Sequence, residues 1–368
     1  MEKKFKVFTI NPGSTSTKVA LFENETEIFN IKVTHDADKL AEFKNPSDQY
    51  EYRYETIMQV LKDQGQSLEG ISAVSSRGGS CAPCKGGVYP TSDLLISDCL
   101  SGKYPKHPAM FGAAMAKRIA DDYGVPSFIV NPPDTDEFTD VARMTGLKGI
   151  YRSSHAHALN QKETAIRVAK ELGKNYEDCK FVVAHLGGGV SITAHLYGKS
   201  VDTTDVIYGD GPMSPNRTGA LPALDVAQLC FSGKYTYEDM YSLITKSGGF
   251  VSHLGTSEMI DVVKMADDGN KYAKLVYDAF LYQCGKYIGS MAAVLGGNID
   301  GIILTGGIAH NTKAMDVIEN MVGFMAPVFR RPGEFEMEAL AAGAIRVLSG
   351  EEQPQEYTGI PSFQGFDF

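Results

Sequence analysis

The sequence predicts a two-part α/β protein whose halves repeat one another, on three observations. Strand-like and helix-like segments alternate along the chain, the pattern of layered α/β folds. The run Val7 to Phe22 reads as strand, polar glycine-containing turn and strand, and Phe181 to Leu196 has the same layout. At 368 residues the chain exceeds one typical core, so two domains are expected: 1–150 and 151–368, with the last helix a candidate to pack back on the first.

The elements follow in order. Strands are expected at Lys6 to Ile10, Lys18 to Phe22, Glu27 to Val33, Ile71 to Val74 and Phe128 to Val130, all rich in β-branched and aromatic residues. Helices are expected at Tyr54 to Gln64, where Ile57, Val60 and Leu61 share a face, and at Met110 to Asp121, where Phe111, Met115 and Ile119 do. Pro132 and Pro133 close this region, and Tyr151 to Leu172 reads as one long helix. The second cycle opens at Phe181. Laying Val7 on Val182 places Ser16 on Ser191. Helical segments follow at Ala223 to Cys230, Glu258 to Ala266 and Tyr272 to Leu295; then comes the buried strand Gly301 to Thr305 with a glycine turn, and a final helix from Phe335 to Leu348.

Composition narrows the function. Hydrophobic residues make up 43% and charged residues 22%, as in ordinary globular proteins. Thirty-five basic residues against 45 acidic ones give a net charge of −10 with no basic block, which argues against nucleic acid or an anionic membrane as partner. No apolar run approaches the roughly 18 residues that span a bilayer, and Phe5 to Ile10 is too short for a signal core, so a cytoplasmic location is expected. The six cysteines are expected to be reduced. Cys81 and Cys84 form a CxxC pair, but no second ligand pair stands at zinc spacing and CAPCKGG lacks a redox motif's strand-to-helix context.

Three turns carry the chemistry. Asn11-Pro12-Gly13-Ser14-Thr15-Ser16-Thr17-Lys18 offers backbone N–H groups, hydroxyls and one cation to an anion. It is not the GxxxxGK[ST] of a P-loop, because a strand follows it instead of a helix. Gly187-Gly188-Gly189 closes the second hairpin, and Gly306-Gly307 ends a strand where the missing Cβ lets a ligand approach the backbone. Arg77 stands at a strand end before Gly78-Gly79, and Arg217 lies in a loop of Gly, Pro, Ser and Asn suited to a lid or phosphate clamp.

These turns, taken with SSRGG around Arg77, SHAHALNQK around His157, AHLGGGVS, GDGPMSPNRTGALP, ILTGGIAHN and EFEMEALAAGAIRVL, resemble the acetate kinase and butyrate kinase family over nearly the whole chain, and most closely its butyrate kinase branch. The resemblance implies two duplicated RNase H-like domains of the actin-like ATPase fold with an interdomain nucleotide cleft. It implies reversible transfer of the γ-phosphoryl of ATP to a short carboxylate, ATP + butanoate = ADP + butanoyl phosphate, with Mg²⁺, in a homodimer or higher homo-oligomer. Acetate, propionate or branched-chain acids are alternative substrates. A non-catalytic actin-like nucleotide-binding protein is the alternative of another class.

The chemistry suits the residues. A carboxylate nucleophile is already ionised at neutral pH, so no base need deprotonate it; the site must instead supply positive charge where two anions meet. By resemblance Arg77 grips the acid's carboxylate, while His157 and Arg217 meet the transferring phosphoryl. His155 is expected to be an ordinary surface histidine. Asn11, Ser14, Ser16 and Lys18 are assigned to the phosphates of Mg·ATP, and Asn11 and Glu336 to the metal, with Glu338 as the competing choice. His185, Gly187, Gly188 and Gly189 are placed near the phosphates, and Gly306, Gly307, Ile308 and Asn311 near the adenosine. Two departures stand out. Asn131 occupies a place where the family has Asp, leaving Asp136 as the expected catalytic acidic group, and Lys106-His107-Pro108-Ala109 differs from the family wording.

Overall fold

The computed structural model describes residues 3–104 and 107–367, without the side chains of 46 and 47; Lys106 lies outside the described residues. The chain divides into two compact units, Met1–Asp136 with Phe335–Phe368, and Glu137–Glu334.

The first unit is built on a six-stranded sheet of β1 (Lys6–Pro12), β2 (Ser16–Glu23), β3 (Thr26–Thr34), β4 (Ala73–Ser76), β5 (Val88–Pro90) and β6 (Ser127–Val130), ordered β3-β2-β1-β4-β6-β5. β1, β2 and β3 form antiparallel hairpins, β4 and β6 continue in parallel, and β5 closes an edge antiparallel to β6. Strand residues alternate between faces. Phe8, Ile10, Val19 and Leu21 pack with Ile57 and Leu61 of helix Tyr50–Asp63 and with Met115 and Ile119 of helix Gly112–Tyr123. The final helix, Glu336–Ser349, packs on β1, β4 and β6. Gly343 permits this approach, since a Cβ there would meet Val130 Cγ1 at 2.6 Å.

The second unit repeats the plan. β7 (Lys180–Leu186), β8 (Val190–Leu196), β9 (Lys199–Thr203), β10 (Gly301–Gly306) and β11 (Val328–Pro332) are ordered β11-β10-β7-β8-β9. Taken from β9 to β11, two antiparallel joints precede two parallel ones, as in β3-β2-β1-β4-β6. Val182, Ala184 and Leu186 face helices Lys271–Val294 and Thr312–Val322. Phe181 and Val183 face helix Ala158–Glu171.

Two expectations need correcting. The first hairpin places residues 13–16 between the pair Pro12↔Thr17, whereas the second places only 187–189 between Leu186↔Val190. The counterpart of His185↔Ser191 is therefore Asn11↔Lys18, and Ser16 does not match Ser191. On β1 the slip is one residue, Asn11 and not Ile10 matching His185, and such a slip moves a strand's side chains to the opposite face; on β2 it is two residues and keeps the face. The helix expected from Tyr151 begins only at Ala158. Upstream of it, Arg152 is drawn into polar contacts with Asp210 Oδ2 at 2.7 Å, Asp202 Oδ1 at 2.8 Å and Thr203 O at 2.7 Å, and Tyr151 bridges Met144. These contacts hold the segment out of helix. Among the described residues no helix is long and apolar enough to cross a membrane.

Candidate active site

In the first unit the chemistry gathers where β1 and β4 end. Asn11 and Lys18 are directly paired across the hairpin and so share a face. Asn11 is buried, and its Nδ2 donates to Glu336 Oε2 at 2.6 Å. Glu336 opens the last helix, where a carboxylate complements the helix dipole. Its Oε1 lies 3.5 Å from Arg77 Nη1. Arg77 is placed by its backbone, whose N–H donates to Ile10 O at 3.0 Å and continues the β1–β4 pairing. The structure thus brings together Asn11, Arg77 and Glu336. These contacts involve Glu336 and not Glu338.

The turn above Asn11 is held from beneath by a residue the sequence reading missed. Arg53 is 1% exposed, and its guanidinium donates to Gly13 O at 2.9 Å and Ser14 O at 2.7 Å. Ser14 itself is exposed and Ser16 half-buried. His107 caps the short helix Pro108–Phe111, its Nδ1 accepting from the N–H of Ala109 at 3.1 Å. Burial, reinforced by the Arg77 guanidinium, holds its imidazole down to about 4. Asp136 is buried, and its backbone N–H donates to Cys84 O at 2.7 Å. Asn131 has a φ of 39° and accepts from the N–H of Gly87 at 2.8 Å. Asn tolerates this left-handed backbone well.

In the second unit His157 sits just ahead of helix Ala158–Glu171, and its Nδ1 lies 2.8 Å from Ser191 Oγ. Its ring stacks on that of His185, with centroids 3.7 Å apart and planes 8° apart. His185 is buried in β7, its Nδ1 3.0 Å from Asn160 Oδ1. Gly189 lies against both catalytic candidates: a Cβ there would sit 2.0 Å from Arg217 Nη1 and 3.3 Å from His157 Cε1. Arg217 belongs to a turn closed by the bond from Ser214 N to Arg217 O at 3.1 Å, and Ser214 Oγ donates to Gly188 O at 3.1 Å. Burial draws the guanidinium's pKa below its ordinary value, with Asp205 opposing. Its Nη1 is buried without a hydrogen-bond partner among the described residues.

The remaining nucleotide-side candidates have clear local roles. Gly306 has a φ of 90° and presses on Leu186, whose carbonyl oxygen would lie 2.4 Å from an added Cβ. Gly307 and Ile308 form a short turn of helix, Gly307–His310, and Asn311 caps helix Thr312–Val322 by accepting from Ala314 N at 3.0 Å. His155 is not an ordinary surface residue. Its side chain is 21% exposed, and Nδ1 lies 2.7 Å from Asp205 Oδ2. Asp205, Gln161 and the role of Ser191 carried no sequence signal, because their significance lies in what they touch.

The Acetokinase family matches residues 143–327. Butyrate kinase 2 of Clostridium acetobutylicum is 47% identical over 354 residues, covering 96% of this chain and 99% of that protein. The chain belongs to the Acetokinase family. A probable butyrate kinase 2 of Caldanaerobacter subterraneus is 44% identical over 96% of the chain and 99% of its own length. Among solved structures, the Porphyromonas gingivalis acetate kinase matches with a TM-score of 0.76 at 19% identity, covering 94% of this chain and all of that one. A propionate kinase from Francisella tularensis gives 0.71 at 18%, covering 92% and 98%. These likenesses establish the actin-like ATPase fold for this Acetokinase member.

Proposed function

We propose that this chain is an ATP-dependent carboxylate kinase catalysing ATP + butanoate = ADP + butanoyl phosphate. The observation that carries the reading is the buried, unpartnered Nη1 of Arg217, set against Gly189 and near His157. A buried guanidinium N–H group left without an acceptor is costly unless an anion completes it, and a transferring phosphoryl is such an anion. Butanoate follows from relatives named as butyrate kinases at 42–47% identity.

The first unit is assigned to the acid and the second to the nucleotide. Arg77 holds the acid's carboxylate in its planar fork. His157 and Arg217 donate to the equatorial oxygens of the phosphoryl, and Asp136 is the catalytic acidic group. Asn11, Ser14, Ser16, Lys18, His185 and Gly187–Gly189 serve the phosphates; Gly306, Gly307, Ile308 and Asn311 serve the adenosine. Glu336 and Asn11 offer hard oxygen donors that suit Mg²⁺, which is commonly held by one or two side chains together with phosphates and water. Among the described residues no group of three or more His, Cys, Asp or Glu is arranged for a metal. Bound with ATP, the ion would neutralise phosphate charge. A cytoplasmic homo-oligomer completes the proposal: helix Ala223–Cys230 buries none of its residues, and Leu224, Phe231 and Tyr237 are 85%, 90% and 78% exposed.

Trapping the acyl phosphate with hydroxylamine tests the reading. Incubation with ATP, Mg²⁺ and each acid from acetate to valerate, including isobutyrate, should give the highest kcat/KM on butanoate. No acyl hydroxamate from any acid would end the kinase proposal.

A further inference from the structure

His157 can donate to a phosphoryl oxygen in its neutral form only if its proton sits on Nε2. We propose that Ser191 and Gln161 are positioning residues that hold it there. The inference rests on the assignment of His157 to the phosphoryl.

Gln161 side-chain nitrogen lies 3.0 Å from the carbonyl oxygen of Ser191 and 2.9 Å from Ser191 Oγ. A carbonyl oxygen only accepts, so the atom facing it is the amide NH₂. Its two protons serve Ser191 O and Ser191 Oγ. The backbone N–H of His157 also donates to Ser191 Oγ, at 3.3 Å. Both lone pairs of the hydroxyl are then occupied, and its own proton has one remaining direction, His157 Nδ1 at 2.8 Å. Nδ1 is thereby an acceptor, and the proton of the neutral ring belongs to Nε2.

The relay is anchored in rigid elements. Ser191 is fully buried on β8, and Gln161 is fully buried in the first turn of helix Ala158–Glu171. Placing Gln161 four residues after His157 sets it one helical turn on, with the backbone N–H of Gln161 donating to His157 O at 2.9 Å. Both residues therefore act on His157 through one hydroxyl. The charged and titratable groups around the ring are His185, stacked on it, Glu334, whose Oε1 is 3.7 Å from His185 Nε2, Arg217 across Gly189, and the His155–Asp205 pair on the preceding segment.

The test combines spectroscopy with kinetics on the full-length enzyme. Nitrogen-15 histidine spectra above the ring's titration should show His157 as the Nε2–H tautomer in the wild type; an Nδ1–H tautomer overturns the relay. Ser191→Ala should lower kcat about tenfold, the scale of one lost hydrogen bond, with KM for ATP and butanoate changed less than about threefold, and Ser191→Thr, which keeps the hydroxyl, should recover most of the loss. Unchanged kcat in Ser191→Ala overturns the proposal. Gln161→Glu reverses the relay, because the hydroxyl then donates to the new carboxylate and Nδ1 must donate to it. That variant should gain a falling alkaline limb in its kcat–pH profile, since only the imidazolium still carries a proton on Nε2. A profile superimposable on wild type refutes the mechanism. Wild-type kcat in His157→Ala would instead remove His157 from the phosphoryl and leave the tautomer result standing.

Discussion

Replacing Gly189 by alanine separates the site from the fold. Gly189 is buried and its φ is not in the left-handed region, so alanine adds no backbone strain. The added Cβ would lie 2.0 Å from Arg217 Nη1, whereas ordinary contact begins at 3.4 Å. The obstructing atom is the end of a long, flexible side chain, so the guanidinium yields and the hairpin stays. It must retreat by about 1 Å or more, and a displacement of that size in a charge-stabilising group costs on the order of 10²-fold in rate. That corresponds to about 2.7 kcal/mol in the transition state. The expected result is kcat/KM for butanoate down roughly 10²-fold, with thermal unfolding shifted by no more than a few degrees. Because the loss acts through Arg217, Gly189→Ala in an Arg217→Ala background should cost little more, a non-additivity expected of groups acting as a unit. A Gly189→Ala enzyme within twofold of wild type, or losses that simply multiply, would refute the placement of Arg217 at the reacting phosphoryl.

Arg77→Ala should lower kcat/KM on butanoate by roughly 10²-fold or more, and wild-type kinetics would remove Arg77 from the site. Arg53→Met should destabilise the protein by about 2–4 kcal/mol in urea unfolding, because two turn carbonyls lose their buried donor; a change below about 1 kcal/mol would show that the clamp is dispensable. Stability should also fall on acidification. Burial holds His195 down to about 3 and, together with nearby cations, His35 and His107 to about 4. The unfolded chain protonates these rings near pH 6.5, so it binds more protons than the native state below that pH, and stability is lost as pH drops from about 6.5 toward 4. His195 Nε2 is buried without a partner, so His195→Gln should flatten the slope of Tm against pH; a Tm independent of pH over this window would contradict the burial argument.

Much of the architecture was legible because it is local. Each hairpin announces itself by two apolar, β-branched runs around a glycine turn, and helices such as Lys271–Val294 and Glu336–Ser349 are legible to within a residue or two at each end. Helix Thr312–Val322 is not announced by the sequence pattern: Asn311, which caps it, directly follows the glycine turn Gly306-Gly307, so the same residue fits a turn as well as a helix start. The segment before Ala158 misled for a different reason: it runs without a break into a strongly helical stretch, but Ser153, Ser154, His155 and His157 are weak helix formers and Arg152 is held by β9 and the loop at Asp210.

The sequence by itself determined that the chain holds two similar α/β halves, that their turns offer backbone N–H groups, and that Arg77 and Arg217 stand at a strand end and in a loop where side chains can serve a ligand. Those properties follow from periodicity and residue type; that His157 stands just ahead of its helix came only from the structure. Tertiary structure alone decided that Lys18 and not Ser16 is the counterpart of Ser191, that Glu336 and not Glu338 meets Asn11 and Arg77, that Arg53 lies beneath the first turn, and that one hydroxyl on β8 sets the proton of His157. Each depends on register or on contacts between residues far apart in the chain, and a hydrogen bond's direction exists only once every donor and acceptor around it has been placed.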